Sequence, residues 1–153
     1  MRPHDRVLLV GGALTGGAAL LHVAIVGGGP AWYRFFGAGE GMARLAARGS
    51  PYPAVVTAGI AAVLGAWALY ALSGAGVVRR LPLMRPALAL IASIFLARGV
   101  LGVPVVFLVD HPYLRELRAR TTFMVASSAV CVALGLCYAV GAAAGRRSPP
   151  PRA

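Results

Sequence analysis

With 59% hydrophobic and 12% charged residues in a chain of 153, the composition excludes an ordinary water-soluble domain, and the length allows one domain. The net charge of +11 would point to nucleic acid in a soluble protein, but every basic residue is arginine. Most arginines lie between apolar runs, at the level of lipid headgroups, and no nucleic-acid-binding motif accompanies them, so nucleic acid is not an expected partner.

Residues 7–31, 49–78 and 121–145 contain no Asp, Glu, Lys or Arg, and a fourth run, 86–109, is interrupted only by Arg98. A helix needs roughly 20 apolar residues to cross a hydrocarbon core about 30 Å thick, so each run is long enough to span. The expected fold is all-α: a four-transmembrane-helix bundle with spans at about 7–29, 53–74, 84–109 and 122–145. A basic, proline-rich cytoplasmic tail, 146–153, is expected to follow.

The first span is expected to stop at Gly27-Gly28-Gly29-Pro30, where glycine lowers helix propensity and proline disfavours helix in the preceding residue. Arg2 and Arg6 before an apolar run imitate a secretory signal. The run is too long, lacks a small-residue cleavage site and is followed by three more spans, which makes it a retained helix. The first loop opens with the aromatic cluster Trp32, Tyr33, Phe35 and Phe36, and continues with Glu40, Arg44 and Arg48 at a spacing of four. That pattern predicts a short interfacial helix.

In the third loop, Asp110 or His111 is placed to cap a turn of helix beginning at Pro112. Gly12 with Gly16, and Gly141 with Gly145, form small-xxx-small pairs expected to bring the first and fourth spans together. Cys131 and Cys137, about 9 Å apart along one helix, cannot form an intrahelical disulfide and read as packing residues. No metal site or cofactor is expected.

An even number of spans, four, puts both termini and the second loop on one side. That side holds eight arginines and the other six, which places both termini in the cytoplasm of a bacterial inner membrane.

Arg98 is the residue that composition does not explain. It stands near the middle of its span, about 16 Å of helix from the outer end, too far to snorkel. An arginine at that depth costs roughly 2.5 to 3.5 kcal/mol even on insertion scales, so it should face the bundle interior. His22, at similar depth on the first span, is its expected neighbour, and Glu40 the nearest acid able to fold over both. Trp67 and Tyr70 on the second span offer aromatic walls to a flat apolar ligand.

The run Pro30-Ala31-Trp32-Tyr33-Arg34-Phe35-Phe36-Gly37-Ala38-Gly39-Glu40, with Tyr70-Ala71-Leu72-Ser73-Gly74-Ala75-Gly76 and Leu81-Pro82-Leu83, resembles a group of small uncharacterised bacterial four-helix integral membrane proteins. In size and span layout the chain is more loosely similar to the DoxX-like class. The resemblance implies a four-helix membrane fold and carries no catalytic residue with it.

Together these features lead to an expected non-enzymatic or accessory membrane protein with no catalytic residues. Arg98, His22, Glu40, Trp67 and Tyr70 would bind a lipid- or quinone-like ligand in an outward-opening pocket. The alternatives are a small homo-oligomeric transporter or channel subunit, and a structural or assembly factor of a membrane complex.

Overall fold

The computed structural model describes residues 2–144. It contains α1 (Pro3–Phe35), α2 (Glu40–Ala47), α3 (Tyr52–Gly74), α4 (Met84–Leu108), α5 (Pro112–Arg118) and α6 (Thr121–Ala144), and no strand among the described residues. α1, α3, α4 and α6 are long and apolar enough to cross a membrane. The chain is a multi-pass membrane protein built as an all-α bundle. The expected tail, 146–153, and Gly145 lie outside the described residues.

Local chemistry sets most helix ends. At the start of α1, the Arg2 backbone N–H donates to Asp5 Oδ2 at 2.8 Å, and Pro3 fills a first-turn position where a missing N–H is harmless. α1 does not end at the glycine run. Gly29 adopts φ 65°, ψ −154°, a conformation essentially confined to glycine, and the helix resumes at Pro30 as far as Phe35. The expected stop is therefore a kink: proline ends the preceding helix but also suits the first turn of the next. α2 forms where the loop pattern predicts it, with Ala43 buried and Arg44 and Arg48 exposed. α5 begins as expected, because His111 Nδ1 accepts the Tyr113 N–H at 3.3 Å.

In the ring of spans, α1 packs against α3 and α6, and α4 packs extensively against α6 and only lightly against α3. α1 and α4 are diagonal, with no close backbone approach among the described residues. One end of the bundle, the base, holds the start of α1, the α3–α4 connection and the end of α6. The other end, the cap, carries α2 and α5.

Small residues set the closest approaches. A Cβ at Gly99 on α4 would meet Ser128 O and Val132 N of α6, each at 2.9 Å, and one at Gly135 on α6 would meet Leu96 N at 3.0 Å. The anticipated pairing of small-xxx-small motifs is corrected. Gly12 and Gly16 face Ala68 and Ala71 of α3, whereas the α1–α6 approach is made by Gly11 against Cys137 and by Gly141 against Leu8. Gly11 and Gly12 lie on different flanks of one helix, a distinction that motif spacing does not resolve.

The apolar core divides unevenly. At the base, Leu8, Ala71, Ala75, Leu88, Ile91, Phe95, Leu134 and Tyr138 join all four spans in one cluster. Towards the cap it splits into Ile25, Tyr33 and Ala43 on α1 and α2, and Val106, Leu117 and Met124 on α4, α5 and α6. The four helices thus share a core at the base and part into two separately packed groups towards the cap.

Gly99→Ala should destabilise the protein by roughly 1 to 3 kcal/mol, because the added methyl meets backbone that cannot swing aside. Gly17→Ala, with open space at the Cβ position, should be neutral or slightly stabilising. Thermal unfolding in detergent micelles checks both, and equal effects of the two substitutions would contradict the close α4–α6 approach.

Candidate functional site

The level at which the core divides has a polar centre. Tyr138 and Thr15 are both 0% exposed. Thr15 Oγ1 donates to Gly11 O at 2.7 Å, and the Tyr138 hydroxyl lies between two acceptors, Thr15 Oγ1 at 3.1 Å and Trp67 O at 3.0 Å, sharing its single proton between them. Phe95 stacks edge-on against Trp67 at a centroid distance of 5.2 Å and packs against Tyr138 at 5.7 Å. Residues of α1, α3, α4 and α6 therefore form an aromatic floor across the bundle. Among the described residues, it closes the base half from the cap half.

On the cap side of this floor, seven-residue spacing carries the inward stripe of α1 from Leu8 through Thr15 to His22. His22 is half-buried, and its Nδ1–H donates to Ala18 O at 2.8 Å. A carbonyl only accepts, so in the neutral ring Nε2 is left as an acceptor. On α4, Arg98 stands one turn capward of Phe95, roughly 60° round the helix from it at 100° per residue. Phe95 faces Trp67 and Tyr138, and Leu96 and Gly99 face α6, so the Arg98 backbone lies across Phe95 from Gly99. Its guanidinium lies over Gly102, crowding the place where a Cβ would sit, and Ser128 Oγ is 3.0 Å from that same point. Ser128 is 5% exposed and its hydroxyl has no hydrogen-bond partner. Arg98 itself is exposed and makes no hydrogen bond or ion pair with a described residue.

The other expected site residues separate. Trp67 belongs to the floor. Tyr70, one turn further towards the base, packs on the base core and does not reach the space above the floor. Glu40 does not fold down over His22 and Arg98. Arg34 Nε and Nη2 donate to its two carboxylate oxygens at 2.8 and 3.1 Å, and its backbone N–H donates to Glu116 Oε2 at 2.9 Å. The Tyr113 hydroxyl donates to Gly37 O at 3.1 Å and Arg120 Nη1 to Phe35 O at 2.9 Å. These bonds latch the α1–α2 turn to α5 and to the start of α6. Burial pushes the Tyr113 hydroxyl up from its ordinary range, the Arg98 charge partly opposes this, and Glu116 adds to it.

No family model, curated protein or solved structure matches this chain. The case for a site accordingly rests on the geometry. Two clefts open at the ends of the bundle. The cap cleft, of 560 Å³, lies between α2 and α5 and is lined by Arg44, Arg48, His111, Tyr113 and Glu116, while a base cleft of 760 Å³ lies beside Arg2, Arg80 and Arg85. Neither is lined by His22 or Arg98. Among the described residues, no group of three His, Cys, Asp or Glu side chains has the proximity to hold a metal ion.

Sequence reasoning missed Thr15, Phe95 and Ser128. The hydroxyls carried a legible signal, since Thr15 shares the seven-residue stripe with His22 and Ser128 interrupts an apolar span. Phe95 carried none, being one of many apolar residues on α4.

The hydrogen bonds from Arg34 hold the Glu40 carboxyl below its ordinary value of 4.5. Since the folded value is depressed, the pair's contribution to the latch is complete above 4.5 and is lost as the pH falls through the lower folded value. Carboxyl carbon NMR should show Glu40 titrating below 4.5 in the parent protein and returning to the ordinary range in Arg34→Gln. An unchanged midpoint in that variant would mean that the pair does not form.

Proposed function

We propose that this protein, set in a bacterial cytoplasmic membrane with both termini in the cytoplasm, binds an amphipathic molecule between the two parted helix groups and acts as an accessory protein rather than an enzyme. One observation carries this reading: Arg98, in the middle of a span, is exposed and has no acceptor among the described residues. A charged guanidinium at that depth requires acceptors or water, and costs roughly 2.5 to 3.5 kcal/mol on insertion scales even where the bilayer can adapt around it. The orphaned Ser128 hydroxyl beside it is a second group awaiting a partner.

The surroundings suit a particular kind of molecule. Arg98 offers a fork of donors to an anionic or carbonyl-bearing head, the bare His22 Nε2 accepts a hydroxyl or protonated group, and the Trp67–Phe95 pair supports an apolar body. A lipid or a quinone has this combination. Glu40 enters as part of the latch over the space rather than as a ligand contact.

Mass spectrometry of the lipids and quinones retained by the purified protein tests the reading. Arg98→Leu should insert and fold normally, because leucine is favourable at that depth, yet retain at least tenfold less of the selected molecule, a loss of about 1.4 kcal/mol in binding. His22→Ala should give a smaller loss and His111→Ala none. An unchanged profile in folded Arg98→Leu, together with a loss of self-association, would replace ligand binding by an oligomer contact.

A further inference from the structure

The arginines at the two ends of the bundle are used differently. At the cap, Arg34 pairs with Glu40, Arg115 lies 3.7 Å from Asp110, Arg118 donates to Phe107 O at 2.8 Å, and Arg120 donates to Phe35 O at 2.9 Å. These four guanidiniums are held within the chain, while Arg44 and Arg48 line the cap cleft together with Glu116. At the base, no carboxylate of the described residues lies within ion-pair distance of Arg2, Arg80 or Arg85, although all three line one 760 Å³ cleft. The single acid there, Asp5, already receives the Arg2 backbone N–H and lies 3.2 Å from the His4 ring.

This cleft is shaped by the fold rather than by chance exposure. Buried Ser73 donates to Arg79 O at 2.9 Å and accepts the Leu81 N–H at 3.0 Å, folding the α3–α4 connection back and presenting Arg80 at the cleft. Leu83, in the left-handed conformation at φ 51°, then turns the chain into α4 and presents Arg85. α1 and α4 both begin at the cleft, so their N-terminal dipole ends add to its positive potential.

The geometry points to a binding site for a phosphate group, supplied by the headgroup of an anionic phospholipid, in the base cleft between α1, α3 and α4. Forked guanidinium donors match phosphate oxygens, and the cleft opens at the ends of the spans, where headgroups lie. Leu81, Leu83 and Met84 give it an apolar side that suits the glycerol and first acyl carbons rather than a free ion. The site is separate from the one proposed above the aromatic floor and does not depend on it.

Native mass spectrometry of the full chain, released from nanodiscs of phosphatidylglycerol and phosphatidylcholine in equal amounts, tests this. The parent protein should retain phosphatidylglycerol preferentially. Arg80→Gln with Arg85→Gln should lower that preference by roughly fivefold per arginine, and Arg80→Lys with Arg85→Lys should recover much of it. Arg44→Gln with Arg48→Gln, which removes the same charge at the cap, should leave it unchanged. No phosphatidylglycerol preference in the parent, or an equal loss in the cap variant, would overturn the site. Displacement of the lipid by millimolar inorganic phosphate would overturn the lipid assignment in favour of a soluble phosphate. Circular dichroism on each variant establishes that it is folded. If the glutamine variant fails to fold, the lysine variant carries the test alone: a preference equal to the parent's upholds the site, and a preference no greater than for phosphatidylcholine overturns it.

Discussion

The Tyr138 hydroxyl, wholly buried between Thr15 Oγ1 and Trp67 O, fixes where this bundle can close. In the interior of a membrane protein a polar group must find its partner within the protein, because lipid offers none. Meeting that requirement draws α6 to both α1 and α3 at one level, and the Trp67–Phe95 contact brings α4 to the same level. Each such hydrogen bond contributes only about 0.6 kcal/mol on average in a membrane bundle. Its importance is geometric: it sets the height at which four helices become one core.

Everything capward follows from the absence of a comparable tie. The two helix groups pack their own small clusters, Ile25, Tyr33 and Ala43 on one side and Val106, Leu117 and Met124 on the other. They are joined at the latch through Glu40, Glu116, Tyr113, Gly37, Arg120 and Phe35. Between floor and latch, the inward stripe of α1 carries His22, and α4 carries Arg98 one turn capward of Phe95.

Much of the fold was legible because lipid imposes simple rules. Uninterrupted apolar length gave four spans, the four-residue spacing of Glu40, Arg44 and Arg48 gave α2, and His111-Pro112 gave the start of α5. The continuation of α1 past Gly29 was not legible, since a glycine run before proline can equally end a helix or kink it. Which neighbour each glycine meets was equally hidden, because Gly11 and Gly12 differ only in helical phase and the helix order in the ring decides the rest. For the candidate site, depth within an apolar span singled out Arg98 and His22. Glu40 pairs with Arg34 only six residues away, but its backbone bond to Glu116 joins α2 to α5 across 76 residues, to which no local pattern points.

The account turns on whether Arg98 faces the space between the helix groups or the surrounding lipid. Replacing Cys131 and Cys137 with serine leaves a background without thiols, into which cysteine is placed at 98 or at Val100, which is exposed on another face of α4. Spin-labelled in nanodiscs, position 98 should be accessible to a water-soluble relaxation agent and position 100 to oxygen dissolved in the lipid. Equal lipid accessibility at both positions would contradict the account, because Arg98 would then lie on the outer surface of the bundle and no polar space would exist above the aromatic floor.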